Sequence, residues 1–186
     1  QQGALLKLRY ALENRQAGAL LAGTPGVGKT QLVSTLLSQL GEQFAPCVHV
    51  VFPQMPPEQL LAYIAAELTG EEADNTNATQ AESVRRIQNT LAENAGRGRH
   101  AVVVVDEAQL LVDSGALEMM RLLLNFETSS GTGLTLLLVG QPGLLPALER
   151  VPSLEERLNV KCLMRPLNVD ETASYVTHRL EVAGAA

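Results

Sequence analysis

Two short stretches of this chain carry residue types whose spacing could do chemistry together. The first is Gly23-Thr24-Pro25-Gly26-Val27-Gly28-Lys29-Thr30, followed by Gln31, which fits the pattern G-x-x-x-x-G-K-[ST]. Glycines at these positions let backbone N–H groups converge on phosphate oxygens, and Pro25 limits the loop's freedom before anything binds. Lys29 offers a point charge to the β- and γ-phosphates of a nucleoside triphosphate. Thr30 offers a hydroxyl to Mg²⁺, and the start of the following helix adds its partial positive charge. A Gly/Pro-rich turn before a helix is ordinary, but a turn alone does not require Lys-Thr at this spacing.

The second stretch is Val105-Asp106-Glu107-Ala108, at the end of an apolar run. Two adjacent carboxylates there are costly unless a cation or a bound water uses them. Asp106 can reach a Mg²⁺ held by Thr30, and Glu107 can orient and deprotonate an attacking water. Taken singly, either residue could also be a helix cap or an exposed acid. Two further positions stay open. Gln141 is either a turn residue before Pro142-Gly143 or a contact to the γ-phosphate or the water. Arg157 either pairs with Glu155, Glu156 or Asp170 on its own surface or reaches a neighbouring subunit's nucleotide. His49, His100 and His178 are scattered and receive no metal or acid–base role.

These groups need elements to hold them. Residues 19–22 form a short apolar run suited to a buried strand, and 31–40 place Leu32, Leu36, Leu37 and Leu40 on one side of a helix. Strand, glycine loop and helix thus come in the order the motif requires. Apolar runs at 101–105 and 134–139 predict central parallel strands covered on both faces. Residues 47–52 predict a further strand and 160–164 a weaker last one. Helices are expected over 2–14, 58–68, 80–93 and 116–126, with shorter pieces at 144–150 and 153–158. The polar, acidic stretch 69–79 reads as a loop. After Asn168 a lone amphipathic helix follows, with Asn168 or Asp170 as its cap. Strands alternating with helices imply a parallel sheet with right-handed crossovers.

Composition narrows the classes. At 186 residues and 46% hydrophobic content one core is the default, and no apolar stretch is long enough to span a bilayer. A net charge of -6 argues against a broadly basic nucleic-acid surface. The basic clusters, Arg85-Arg86 and Arg97-Gly98-Arg99-His100, suit a solvated helix face and a loop. Cys47 and Cys162 fall in apolar segments and are expected as buried free thiols of a reducing compartment. The chain opens on Gln1-Gln2-Gly3 and stops while a helical pattern is running, so it is expected to be a piece of a longer protein.

The motifs together resemble the AAA+ ATPases, and among them the ATPase subunits of bacterial general secretion. The resemblance covers nearly the whole chain. It rests on the loop 23–30, Val-Asp-Glu-Ala-Gln at 105–109, Leu-Asn-Phe-Glu-Thr at 124–128 and Leu-Val-Gly-Gln-Pro at 138–142. It continues through Met-Arg-Pro-Leu at 164–167 and the run 171–180. It implies a three-layer P-loop α/β sandwich with sheet order 5-1-4-3-2, residues 1–166 forming the core and 167–186 the first helix of a truncated helical lid. It further implies that Lys29 and Thr30 bind phosphate and Mg²⁺, that Asp106 is the second Mg²⁺ contact, and that Glu107 is the catalytic base. Gln141 would be the sensor after the fourth strand, in place of the more usual Asn or Thr, and Arg157 the finger of a homo-oligomer. The implied activity is Mg²⁺-dependent ATP hydrolysis on the cytoplasmic side of a bacterial envelope, driving assembly of a secretion apparatus. Any membrane contact would then come through other segments. A DNA-associated ATPase of the transposition-helper type and a nucleotide-dependent scaffold without turnover are the competing readings. Adenine is favoured over guanine because no Asn-Lys-x-Asp run is present.

Overall fold

A computed structural model of the chain describes residues 2–70, 78–128, 131–182 and 184. In chain order the elements are α1 (Gln2–Glu13), β1 (Gly18–Gly23), α2 (Lys29–Ser38), β2 (Cys47–Val50), α3 (Pro57–Thr69) and α4 (Gln80–Gly96). Then come β3 (Ala101–Val105), a 3-10 turn (Ala108–Leu111), α5 (Ala116–Leu123), β4 (Glu127–Thr128) and β5 (Gly131–Thr132). The chain continues through β6 (Leu134–Gly140), α6 (Leu144–Leu148), α7 (Pro152–Glu155), β7 (Leu158–Met164) and α8 (Val169–Val182). Of the loop expected over 69–79, residues 71–77 lie outside the described residues.

β1, β3 and β6 are buried at every position. That is what wholly apolar strands require, since both faces must be kept from water. They form the centre of a parallel five-stranded sheet of order β2-β3-β6-β1-β7. Counting only those five strands, this is 5-1-4-3-2 read from the other edge. Register is fixed by pairs such as Leu20 opposite Leu138 and Val103 opposite Leu136. Alternation sends Val102, Val104, Leu137 and Val139 toward α1 and α2, and Val103, Val105, Leu136 and Leu138 toward α3, α4 and α5. The result is three layers with an apolar core on each side of the sheet.

Several helix boundaries have clear local causes. α3 begins with Pro57 in its first turn and ends at Gly70 in the left-handed region. α4 starts with a capping box: the Thr79 hydroxyl accepts from Glu82 N–H, and the Glu82 carboxylate accepts from Thr79 N–H at 2.8 Å. α5 ends at Leu123, short of the expected 126, because the chain turns into the β4–β5 hairpin, where Gly133 N–H donates to Phe126 carbonyl at 2.8 Å. Two-residue strands leave no periodicity to detect. β2 stops at Val50, leaving Val51 and Phe52 exposed. Cys47 corrects the expectation of two buried thiols: it opens an edge strand and is exposed, whereas Cys162 is buried.

At the end of the sheet where the strands begin, a buried polar relay joins three segments. Thr135 Oγ1 donates to Gln16 carbonyl at 2.6 Å and lies 2.9 Å from His100 Nε2. With its proton spent on Gln16, the hydroxyl can only accept from His100, which fixes the neutral Nε2–H tautomer. Burial, and then the nearby Arg15 charge, push the His100 pKa down to about 4.

α8 is held differently, at the surface. The Arg165 guanidinium forks onto the Glu171 carboxylate at 2.8 and 2.7 Å, while Asn168 caps the helix by accepting from Glu171 N–H at 2.8 Å. The Arg165 hydrogen bonds, seconded by Asn168 N–H, lower the Glu171 pKa to about 2. Val169, Tyr175, Val176 and Leu180 of α8 are all exposed.

Candidate functional site

The chemistry-bearing residues gather where β1, β3 and β6 end. β1 delivers the chain into the glycine loop, in which Gly26 and Gly28 have φ of 80° and 88°. A side chain at either would be strained, and glycine relieves that strain. Gly28 is also the N-cap of α2 and makes no side-chain cap bond, so the first amides of α2 face the loop without a capping side chain. Lys29 follows and is only 6% exposed. Its ammonium donates to Gly23 carbonyl at 3.0 Å and Thr24 carbonyl at 3.2 Å. Among the described residues both its acceptors are neutral carbonyls, so a buried positive charge stands here without a carboxylate partner. An anion at the loop would compensate it.

Strand alternation explains the second half. Carried one residue past β3, the parity of Val102 and Val104 turns Asp106 toward α2, and there its Oδ2 accepts from Thr30 Oγ1 at 2.7 Å. Asp106 is 2% exposed, its Oδ1 accepts from Glu107 N–H at 2.8 Å, and its own N–H donates to Val50 carbonyl at 2.8 Å. The hydroxyl and the carboxylate form an all-oxygen pair of the kind that suits a hard divalent cation. Among the described residues no group of three or more His, Cys, Asp and Glu could hold a metal by itself. A cation at this pair therefore needs other oxygens, such as phosphates and water, which is the usual way Mg²⁺ is held beside a nucleotide.

Glu107 turns the other way. Its φ of 48° is left-handed, an uncommon conformation for a residue with a side chain, and it caps the 3-10 turn Ala108–Leu111. Its carboxylate accepts a short hydrogen bond from the Gln109 amide. Gln109 in turn accepts from Gln141 N–H at 3.0 Å, at the end of β6. Asp106, Glu107 and Gln141 are thus neighbours although the last lies 35 positions beyond the first.

Arg157 is not among them. It precedes β7, whose Leu158 pairs with Gly18 at the far end of β1. At a rise of about 3.3 Å per residue, five residues of β1 separate that end from the loop by about 17 Å. The Arg157 guanidinium donates to Leu124 carbonyl at 2.7 Å, at the C-terminal end of α5, rather than to Glu155, Glu156 or Asp170. Glu155 bonds Lys161 instead.

A cavity of ≈ 600 Å³ opens beside the loop, lined by Gln2 and Leu5 of α1, by Thr24 to Gly28, by Gln31, and by Thr172 and Tyr175 of α8. Thr24 to Gly28 and Gln31 of the expected nucleotide-binding set are therefore brought to one wall of a space large enough for a nucleoside, whereas Gly23, Lys29 and Thr30 do not line it.

Two residues at the site carry little signal in the sequence. Gln109 stood only as the last letter of a motif; an amide two residues beyond a candidate base is the pattern that could have marked it. His49, on β2 opposite Val104, has its Nε2 buried without a hydrogen-bond partner, 4.0 Å from Asp106 Oδ2. A histidine in a β-branched strand gave no hint of that proximity, which depends on β2 pairing with β3.

Comparison with known proteins bears on the family and the fold. The family described as AAA domain matches residues 13–148. General secretion pathway protein A of Aeromonas hydrophila is 34% identical over 183 residues, covering 97% of this chain and 33% of that protein. The chain thus spans a third of this relative's length. Among solved structures, ORC2 of Aeropyrum pernix in its ADPNP-ADP complexes is 17% identical with a TM-score of 0.77, covering 96% of this chain and 51% of the other. Cdc6p of Pyrobaculum aerophilum is 19% identical with a TM-score of 0.76, covering 97% and 49%. ORC1 of Aeropyrum pernix in complex with DNA is 18% identical with a TM-score of 0.69, covering 97% and 49%. At these identities the likeness is one of fold.

Proposed function

The chain belongs to the AAA domain family, and from that premise we propose that it binds ATP with Mg²⁺ and hydrolyses it to drive a conformational change. The observation that carries this reading is the 2.7 Å bond between Thr30 and Asp106, which joins the phosphate loop to the acidic strand end as one site.

In this reading the backbone N–H groups of Gly26 to Thr30 and the Lys29 ammonium hold the β- and γ-phosphates, with Thr24, Pro25, Gln31 and the adjoining cavity accommodating the rest of the nucleotide. Thr30 and Asp106 would hold Mg²⁺, which supplies charge neutralisation across the phosphates when bound. Glu107 accepts a proton from a water whose oxygen bonds to the γ-phosphorus. The bond from that phosphorus to the β,γ-bridging oxygen breaks, ADP leaves with the electron pair, and the proton passes from Glu107 to solvent. Gln141 contacts the γ-phosphate or that water. Arg157, remote from its own loop, acts in trans on a neighbouring copy. Residues 1–166 serve as the ATPase core and 167–186 as the start of a lid that follows the nucleotide through Tyr175 and the Arg165–Glu171 fork.

The sequence relative, named for the general secretion pathway, supports a role in secretion; we take that role to be assembly of a secretion apparatus, with this domain on the cytoplasmic side and working as a homo-oligomer. Among the described residues no helix is long and apolar enough to cross a membrane. Likeness to a DNA-bound protein bears on fold alone, and the net charge of -6 runs against a DNA surface.

The test is Glu107→Gln. ATP affinity should stay within about twofold of wild type while phosphate release falls about 10²- to 10⁴-fold, the contribution expected of a general base. Unchanged phosphate release from this variant would remove Glu107 as the base and leave a nucleotide-binding module.

A further inference from the structure

We propose that Gln109 is a positioning residue for the hydrolytic base, fixing where the Glu107 carboxylate stands by tying it to the end of β6. The inference rests on the assignment of Glu107 made above, and its own grounds are geometric. Glu107 Oε2 accepts from Gln109 Nε2, and Gln109 Oε1 accepts from Gln141 N–H at 3.0 Å. A carboxylate can only accept and a backbone N–H can only donate. A side chain placed between them must therefore offer a donor on one side and an acceptor on the other, in that order. A primary amide does so, and these two partners leave it one orientation.

The surroundings hold the bridge in place. Glu107 sits in a left-handed conformation just outside the 3-10 turn, so its side chain departs from the winding of the turn and meets that of Gln109, two residues on. Gly140 faces the bridge from β6. A Cβ on Gly140 would lie 2.9 Å from Gln109 Oε1, closer than packed atoms tolerate, so the absence of a side chain at 140 leaves room for the amide. β6 lies between β3 and β1, so a carboxylate held toward β6 is held on the side of the glycine loop. In this assignment Gln109 acts through Glu107, whose carboxylate it holds. It also makes the base answer to movement at Gln141: a shift of the β6–α6 connection displaces the amide, and with it the carboxylate.

The experiment compares Gln109→Met, Gln109→Glu and Gly140→Ala with Glu107→Gln, measuring kcat and KM for Mg-ATP, affinity for a non-hydrolysable ATP analogue, and hydrogen exchange at Gln141 N–H. Gln109→Glu keeps an acceptor for Gln141 but sets one carboxylate against another, so it separates the two halves of the bridge. Gln109→Met removes both halves, and Gly140→Ala dislodges the amide without altering it. All three should lower kcat about 10- to 100-fold, as a misplacement near 1 Å does, with KM and analogue affinity within about twofold. Exchange at Gln141 should accelerate in Gln109→Met and stay slow in Gln109→Glu. Wild-type kcat in Gln109→Glu, with loss in Gln109→Met alone, would mean that Gln109 merely anchors the β6 loop, and the proposal falls. Parallel loss of analogue affinity in all three variants overturns it as well. Retained turnover in Glu107→Gln is a separate outcome: it removes the base, and with it this inference. An inactive Glu107→Gln beside a fully active Gln109→Glu overturns the bridge and leaves the ATPase reading standing.

Discussion

Replacing Lys29 by methionine should separate nucleotide binding from stability, and the structure supplies both magnitudes. The Lys29 side chain is 6% exposed and gives its protons to two neutral carbonyls, those of Gly23 and Thr24. Holding an ammonium there without a carboxylate costs desolvation energy. Methionine is of similar length and carries no charge, so it removes that cost, on the order of several kcal/mol for an unpaired buried ion, while forfeiting two charge-assisted hydrogen bonds worth about 1.5–3 kcal/mol each. The opposing effects nearly cancel. Stability should stay within about 1 kcal/mol of wild type, which for a chain of this size moves Tm by about 2–4 °C. Binding has no such offset. Two charge-assisted contacts to phosphate at about 1.5–3 kcal/mol each come to about 3–6 kcal/mol, or a 10²- to 10⁴-fold loss of affinity. Titration calorimetry with Mg-ATP, run beside thermal unfolding without nucleotide, reads both. A Kd within threefold of wild type would refute the phosphate assignment. A large fall in apo Tm would refute the claim that Lys29 is held at a cost.

Two further outcomes follow from other contacts. Thr30→Val removes the hydroxyl that Asp106 accepts at 2.7 Å; the gain in ATP affinity on adding Mg²⁺, measured against the same titration in EDTA, should shrink about tenfold or more, and an undiminished gain would exclude Thr30 as a ligand. Burial holds the His100 pKa down at about 4, against the ordinary histidine value of 6.5. Below 6.5 the unfolded chain takes up a proton that the folded chain refuses, so stability is full above that pH and falls as pH drops toward 4, by on the order of 3 kcal/mol. Urea unfolding from pH 7 to 4 should show this slope in wild type and a flatter one in His100→Gln; equal slopes would exclude the relay as its origin.

The central sheet was legible because β1, β3 and β6 are apolar throughout, a pattern that leaves few alternatives to burial on both faces. The glycine loop and the Asp106-Glu107 pair were legible because both halves of the site are local in sequence. What escaped depends on contacts between distant segments. His49 and Gln109 matter only once β2 lies against β3 and β6 against β3, and neither pairing leaves a mark at those residues. The β4–β5 hairpin is two residues on each side, shorter than any period. Arg165 and Glu171 were visible as parts of two separate motifs, but the fork between them needed coordinates. Cys47 misled because an apolar run does not say which strand lies at an edge.

The separation of Arg157 from the glycine loop has a consequence for symmetry. The two sit at opposite ends of β1, about 17 Å apart by strand rise, on different patches of one surface. If the arginine of one copy meets the loop of another, each subunit offers its tail to its neighbour's head. A two-fold dimer satisfies such a pairing only if the arginine and the loop share one self-complementary patch, so that each copy's arginine meets the other's loop. Head-to-tail contacts either close into a ring or propagate as a filament, and which of these occurs is set by the rotation from one copy to the next. The number of subunits in such an assembly is then governed by the interface angle that Arg157 and the α5 terminus help to define.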